Sequence, residues 1–110
     1  VTRMKTLKFR EKLSEKILSG EKTSTWRLFD DKNLQQDEIV SFLVWETKEE
    51  FAKAKLVDVK ETNLGELTEE DWEGHEKFNS EEQMYQTYSK YYLQEVTKDT
   101  IVKIIKFKLI

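Results

Sequence analysis

The stretch Ile17-Leu-Ser-Gly-Glu-Lys-Thr-Ser-Thr-Trp-Arg27 decides how this chain is read. Leading into it, Phe9, Leu13 and Ile17 recur every four residues, the apolar stripe of a helix, with Lys12 and Lys16 on its flanks. Gly20 stands where such a helix ends, because glycine takes positive φ at no steric cost. Thr23 to Leu28 is β-branched and aromatic, which predicts a strand. Strand alternation puts Thr23, Thr25 and Arg27 on one face and Ser24, Trp26 and Leu28 on the other. Lys22, Thr25 and Arg27 then form a polar row, with Gly20 a helix terminator rather than a contact.

Working outward, Thr6 to Phe9 reads as a short strand before the helix. Ile39 to Trp45 is a near-continuous apolar strand, Glu46 to Glu50 a turn, and Phe51 to Lys60 a second long strand. Thr68 to Glu73 predicts a short helix capped by Thr68 and stopped near Gly74. Ser80 opens a longer helix, with Gln83 completing a capping-box pattern, and Met84, Tyr88 and Tyr91 or Tyr92 form its buried face. In Ile101 to Ile110, Ile105, Phe107 and Leu109 alternate with Lys106 and Lys108. This predicts a half-buried edge strand whose lysines discourage further pairing. Proline is absent and glycine occurs three times, so turns rely on Asn, Asp and Ser. Strands and helices in this irregular order predict an α+β domain with a curved, mixed sheet, spanning residues 1–110 as one unit.

Composition narrows the function classes. The chain has no cysteine, which excludes disulfides, thiolate metal sites and cysteine nucleophiles. No apolar run has the length of a membrane span and no signal peptide is read at its start, so a soluble, cytoplasmic protein is expected. The net charge of −3 conceals a segregation. Residues 1–28 hold eight Lys/Arg against three Glu, whereas 61–82 hold nine Asp/Glu against one Lys. There is no uniform basic coat, so tracking along duplex DNA is not expected. A local basic patch opposite an acidic segment is compatible with this distribution.

The segment from Ile17 to Arg27 resembles the signature of the ASCH family: a helix ending in Gly, then x-Lys-x-x-Thr-x-Arg entering a strand. Gly20, Lys22, Thr25 and Arg27 match it, and Thr23 matches a common variant. The order of elements fits along nearly the whole chain, including Leu67-Thr-Glu-Glu-Asp-Trp-Glu-Gly74. One departure is Asp37-Glu38, where many relatives have Gly-Asp; aspartate tolerates the required turn backbone better than most residues. The resemblance implies a PUA-like fold, a small mixed β-barrel with flanking helices, and a cleft beside the motif that takes RNA, a nucleotide or a modified nucleoside. One branch of similar length hydrolyses N4-acetylcytidine with a Lys, a Thr and a Glu. Carried over, these are Lys22, Thr25 and Glu73, or Glu76 if the spacing slips.

Elementary chemistry gives the same residues a role. A threonine hydroxyl attacks only if a neighbouring base takes its proton. A lysine can be that base once burial disfavours its charged form. A carboxylate across the cleft then protonates the leaving amine, and Arg27 meets a phosphate or that carboxylate in bidentate fashion. His75, the sole histidine, is a second general-acid candidate, but a metal centre would need carboxylates for its other ligands and is not expected; nor is any cofactor. Trp72, next to Glu73, is the aromatic read as a pocket wall, with Arg27 and Thr23 as further ligand contacts. Trp26, Trp45 and the tyrosines are assigned mainly to the core. Three readings stay open: a nucleotide- or RNA-binding cleft, an amidohydrolase, and an interaction domain in which the motif only stabilises the barrel.

Overall fold

The structure is a computed structural model in which residues 4–29, 32–75 and 77–110 are described. Among them the chain forms five strands and three α-helices. In order these are β1 (Thr6–Phe9), α1 (Glu11–Ser19), β2 (Ser24–Leu28), β3 (Ile39–Val44), β4 (Glu50–Asn63), α2 (Glu69–Trp72), α3 (Glu81–Tyr92) and β5 (Ile101–Leu109). They make one sheet in the order β1-β3-β4-β5-β2. Only the β1–β3 pair is parallel.

Gly20 closes α1 in the left-handed region at φ 87°, its amide bonded to the Ile17 carbonyl, as its position in the sequence predicts. Asp37 takes φ 70° at the turn before β3, the left-handed backbone expected of that turn, so aspartate keeps it. Thr68 caps α2 through a full capping box: its hydroxyl accepts from the Asp71 amide and the Asp71 side chain accepts from the Thr68 amide. At α3 the Ser80 hydroxyl accepts from the Gln83 amide, but Gln83 turns its side chain to Asn79 rather than back to Ser80. Phe9 belongs to β1, not α1, yet packs beside Ile17 in the core as its spacing suggests.

The sheet has an apolar cluster on each side. Leu7, Phe9, Ile17, Val40, Phe42, Leu56, Ile105 and Phe107 form one, tied by Phe42 against Phe9 and Phe107 at ring separations of 4.8 Å. Trp26, Leu28, Met84, Val96, Val102 and Ile104 form the other, beneath α3. β5 feeds both, Val102 and Ile104 to one side, Ile105 and Phe107 to the other. It is therefore an internal strand between β4 and β2, not the edge predicted from its lysines. Those lysines are spent within the sheet's surroundings: Lys103 lies 3.7 Å from Glu61 and Lys106 lies 3.9 Å from Glu70. The adjacent pair Ile104 and Ile105, which strand alternation must send to opposite faces and which is buried on both, is the signal of two-sided burial that the alternation of the second half obscures.

The true edges are β1 and β2, and the sheet curls until they face each other. Among the described residues no ladder closes this seam; side chains do. An Arg27 Nη donates to the Lys8 carbonyl at 3.1 Å, and the Lys32 ammonium donates to the Thr6 carbonyl. In β1 the odd-numbered residues bond β3, as the Ser41 to Lys5 and Trp45 to Phe9 bonds show, so Thr6 and Lys8 point outward. In β2 the Ser24 amide goes to the Gly74 carbonyl and the Leu28 amide to the Tyr92 hydroxyl. Alternation then turns the Trp26 peptide to the same open side.

Candidate functional site

A cavity of about 300 Å³ opens at this seam. Its walls come from β1 (Lys8, Phe9), the entry to α1 (Arg10, Leu13), the motif strand, the loop after α2 (His75, Phe78) and α3. The motif contributes Lys22, Thr25, Trp26 and Arg27 together. Both strand faces reach the cavity because it lies along the outer edge of β2. The expectation that Trp26 faces away is thereby corrected.

Lys22 and Thr25 are almost wholly buried, at 3% and 5% exposure, which is rare for such side chains outside a site or a paired interior. Lys22 is held by its amide bond to the Lys16 carbonyl as the chain leaves α1. Arg27 lays its guanidinium 4.7 Å from the centre of the Phe9 ring while bonding Lys8, so one side chain joins seam and cavity. His75 stacks on Trp26 at 3.9 Å, the planes within 13°, and Trp72 packs edge-on behind Trp26 at 4.6 Å. The Trp26 indole N–H donates to the Asp71 carbonyl, which fixes the ring to α2.

Asp71 anchors this arrangement. Burial pushes its carboxyl up, but the Thr68 amide, the Lys60 ammonium and the Thr68 hydroxyl together hold it below the usual carboxylate range. The loop then turns at Gly74, φ 74°, whose carbonyl accepts from the amides of both Thr23 and Ser24. A Cβ on Gly74 would sit 1.9 Å from the Thr23 hydroxyl oxygen, so only glycine lets the loop approach β2 this closely.

α3 supplies Thr87, Tyr88, Tyr91 and Tyr92 to the cavity. Tyr91 and Tyr92 meet edge-on at 5.0 Å, and Phe78 lies 5.7 Å from Tyr88. The sequence reading gave these tyrosines to the core. Tyr88 and Tyr92 do pack against the second apolar cluster beside the buried Met84 and line the cavity as well, whereas Tyr91 is 45% exposed. The chemical hint lay in the choice of tyrosine over leucine at helical spacing, since a phenol needs a wet or bonded tip.

Three sequence candidates stand elsewhere. Glu73 is exposed and lines a separate hollow with Glu69, Trp72, Lys77 and Phe78. The φ of −60° and ψ of 129° at Glu73 end α2 and direct the chain toward Gly74. Trp72 belongs to that hollow too, not to the wall beside Lys22. Thr23 is exposed on the far side of the motif, against Gly20 and Phe107. Glu76 lies outside the described residues. Among the described residues, no cluster of three or more His, Asp or Glu is placed to hold a metal ion. Among them, too, no helix is long and apolar enough to cross a membrane.

Solved structures share this architecture. A DUF984-family protein from Enterococcus faecalis superposes with a TM-score of 0.79 at 13% identity, over 100% of this chain and 82% of its own. The ASCH domain from Lactobacillus crispatus gives 0.69 at 13% identity, covering 96% of this chain and 79% of that one. The chain has the ASCH fold. An ASCH protein from Zymomonas mobilis agrees at TM-score 0.65 and 18% identity, with 94% of this chain covering 65% of that protein. No family model matches the sequence, and no curated protein matches it. The α+β, PUA-like architecture read from the motif is therefore present, with a curled sheet sealed by side chains in place of a hydrogen-bonded barrel. The cleft expected beside Lys22, Thr25 and Arg27 corresponds to this seam.

Proposed function

We propose that the seam cleft binds a single nucleoside unit of RNA or of a nucleotide. The observation that carries this reading is the lining of the 300 Å³ cavity: flat aromatic walls surrounding Lys22, Thr25 and Arg27. A volume of this size is at the lower end for small-ligand sites, about 300–1,000 Å³. Aromatic faces hold a base by stacking, each worth about 1–3 kcal/mol, and the polar groups read its edge. The Trp26 peptide, turned to the open side of β2, adds a donor and an acceptor of fixed direction. Titration with nucleosides and short RNAs tests the reading. Lys22→Ala and Tyr88→Ala should each weaken binding about tenfold; equal affinity in both variants would remove the cleft from consideration.

A second reading, hydrolysis of an N4-acylated cytosine, is favoured by one observation: Lys22 and Thr25 are buried together at the same cavity. In it the Thr25 hydroxyl, or a water beside it, attacks the acyl carbon and Lys22 takes the proton; where Thr25 attacks, a water then hydrolyses the Thr25 ester and releases the carboxylic acid. Glu73 stands outside the cavity, so the proton for the leaving amino group would come from Lys22 or His75. Incubation with N4-acetylcytidine should release cytidine, with Thr25→Ala and Lys22→Ala about 10²–10⁴-fold slower and Glu73→Gln near wild type. Absence of hydrolysis with intact nucleoside binding leaves the binding reading alone standing.

A further inference from the structure

Beside the cleft stands Trp45, 36% exposed and just beyond β3, lining a neighbouring hollow with Lys8, Arg27, Tyr91 and Tyr92, which the cleft shares. Three cations gather round its ring. The Lys48 ammonium lies 3.9 Å from the ring centre, the Arg10 guanidinium 5.0 Å and the Lys8 ammonium 5.5 Å. Such contacts are attractive through the ring quadrupole. Their assembly on one ring nonetheless brings three like charges together, and among the described residues none of the three makes an ion pair. The neighbouring carboxylate, Glu46, is turned to the first amide of α1, at 3.1 Å from the Glu11 nitrogen.

The backbone bears on the same point. Lys48 occupies the left-handed region at φ 62°, a position in this turn that suits glycine or asparagine. An L-residue there carries strain, and what the chain gains is a lysine ammonium over Trp45. Lys8 and Arg10 also line the cleft, whereas Lys48 and Trp45 do not. The cluster is thus continuous with the cavity at one end and open to solvent at the other.

We infer that Lys8, Arg10 and Lys48, organised by Trp45, form a phosphate subsite of the cleft. The ligand is then a nucleoside bearing a phosphate, not a free nucleoside. This rests on the reading of the cleft as a nucleoside site. The phosphate is either that of a mononucleotide or a diester of single-stranded RNA leaving the cleft across Trp45.

The test compares the four nucleosides, their 3′- and 5′-monophosphates and a mixed-sequence RNA hexamer, by calorimetry and tryptophan fluorescence across a salt series. Phosphate-bearing probes should bind at least about tenfold tighter than the parent nucleoside. Their advantage should decline with salt by about 0.7 log units per tenfold salt for each neutralised phosphate. Lys48→Gly, which relieves the turn and so keeps the fold, should remove most of that advantage and leave nucleoside affinity unchanged. A monophosphate equal to the hexamer identifies a nucleotide ligand; a hexamer that is tighter still identifies an RNA strand. Nucleosides that bind as well as their phosphates, or an advantage untouched in Lys48→Gly, would overturn the subsite while leaving the cleft reading in place. No binding by any probe overturns both.

Discussion

At Gly74 two constraints meet, a left-handed backbone and an approach to Thr23 that leaves no room for a Cβ. The first alone costs about 1–2 kcal/mol for an L-residue, and the collision adds to it. Gly74→Ala should therefore lower stability by 2 kcal/mol or more, roughly, in urea unfolding, and pairing it with Thr23→Ala should recover the share due to the hydroxyl. Full recovery would show that the backbone is not strained. Asp71 gives a pH-dependent counterpart. Its folded carboxyl sits below its ordinary value, so its stabilisation is complete above about pH 3.9 and lost as pH falls through the folded value. Asp71→Asn should cost about 1–3 kcal/mol at pH 7, with the gap to wild type closing as pH falls through the folded value. Lys60 is half exposed, so solvent screens its part and the Thr68 amide carries more. A gap that does not narrow anywhere as the pH is taken down through the acid range would refute this assignment.

Among the elements, α3 matters most to the site because it carries Tyr88, Tyr91 and Tyr92 to the cleft from a single buried anchor, Met84. Its stability rests on packing and on the Ser80 cap, since twelve residues are marginal as an isolated helix. Ser80→Ala should cost about 1 kcal/mol and weaken ligand binding without touching the cleft lining. Amide exchange along 81–92 should rise in step. A variant that loses stability but binds as wild type would show that α3 only covers the sheet. α2, by contrast, is one turn long and acts as a clamp, its Asp71 carbonyl holding the Trp26 indole and its exit reaching Gly74.

For the whole molecule the decisive feature is the unclosed seam between β1 and β2. A fully hydrogen-bonded barrel would have no cleft there; side chains, Arg27 and Lys32 among them, hold the edges together and leave a cavity between them. Arg27 does both jobs, bridging to Lys8 and lining the cleft, so its loss should register twice. Arg27→Ala should cost about 2 kcal/mol, from a charged hydrogen bond and a cation–ring contact, and speed amide exchange at Lys8. Arg27→Lys keeps the charge but not the planar fork, and should recover only part. Complete recovery by lysine would mean that charge alone seals the seam.

The sequence by itself determined the local elements and the motif. Apolar spacing set α1, β3 and β4, Gly20 and Thr68 marked helix ends, and the Lys22, Thr25, Arg27 row identified the strand that borders the cleft. These follow from steric preferences and periodicities that operate over a few residues. Tertiary structure alone decided which strands are edges, because that depends on pairing between distant segments: β5 is internal despite its lysines, and β1 faces β2. It also decided that Glu73 points to a different hollow, that the tyrosines of α3 line the cleft, and that Lys8, Arg10 and Lys48 meet at Trp45. Each of these is a matter of chain direction after a turn. A turn of a few tens of degrees at Gly74 or Lys48 moves a side chain by its own length, and no local preference records where it lands.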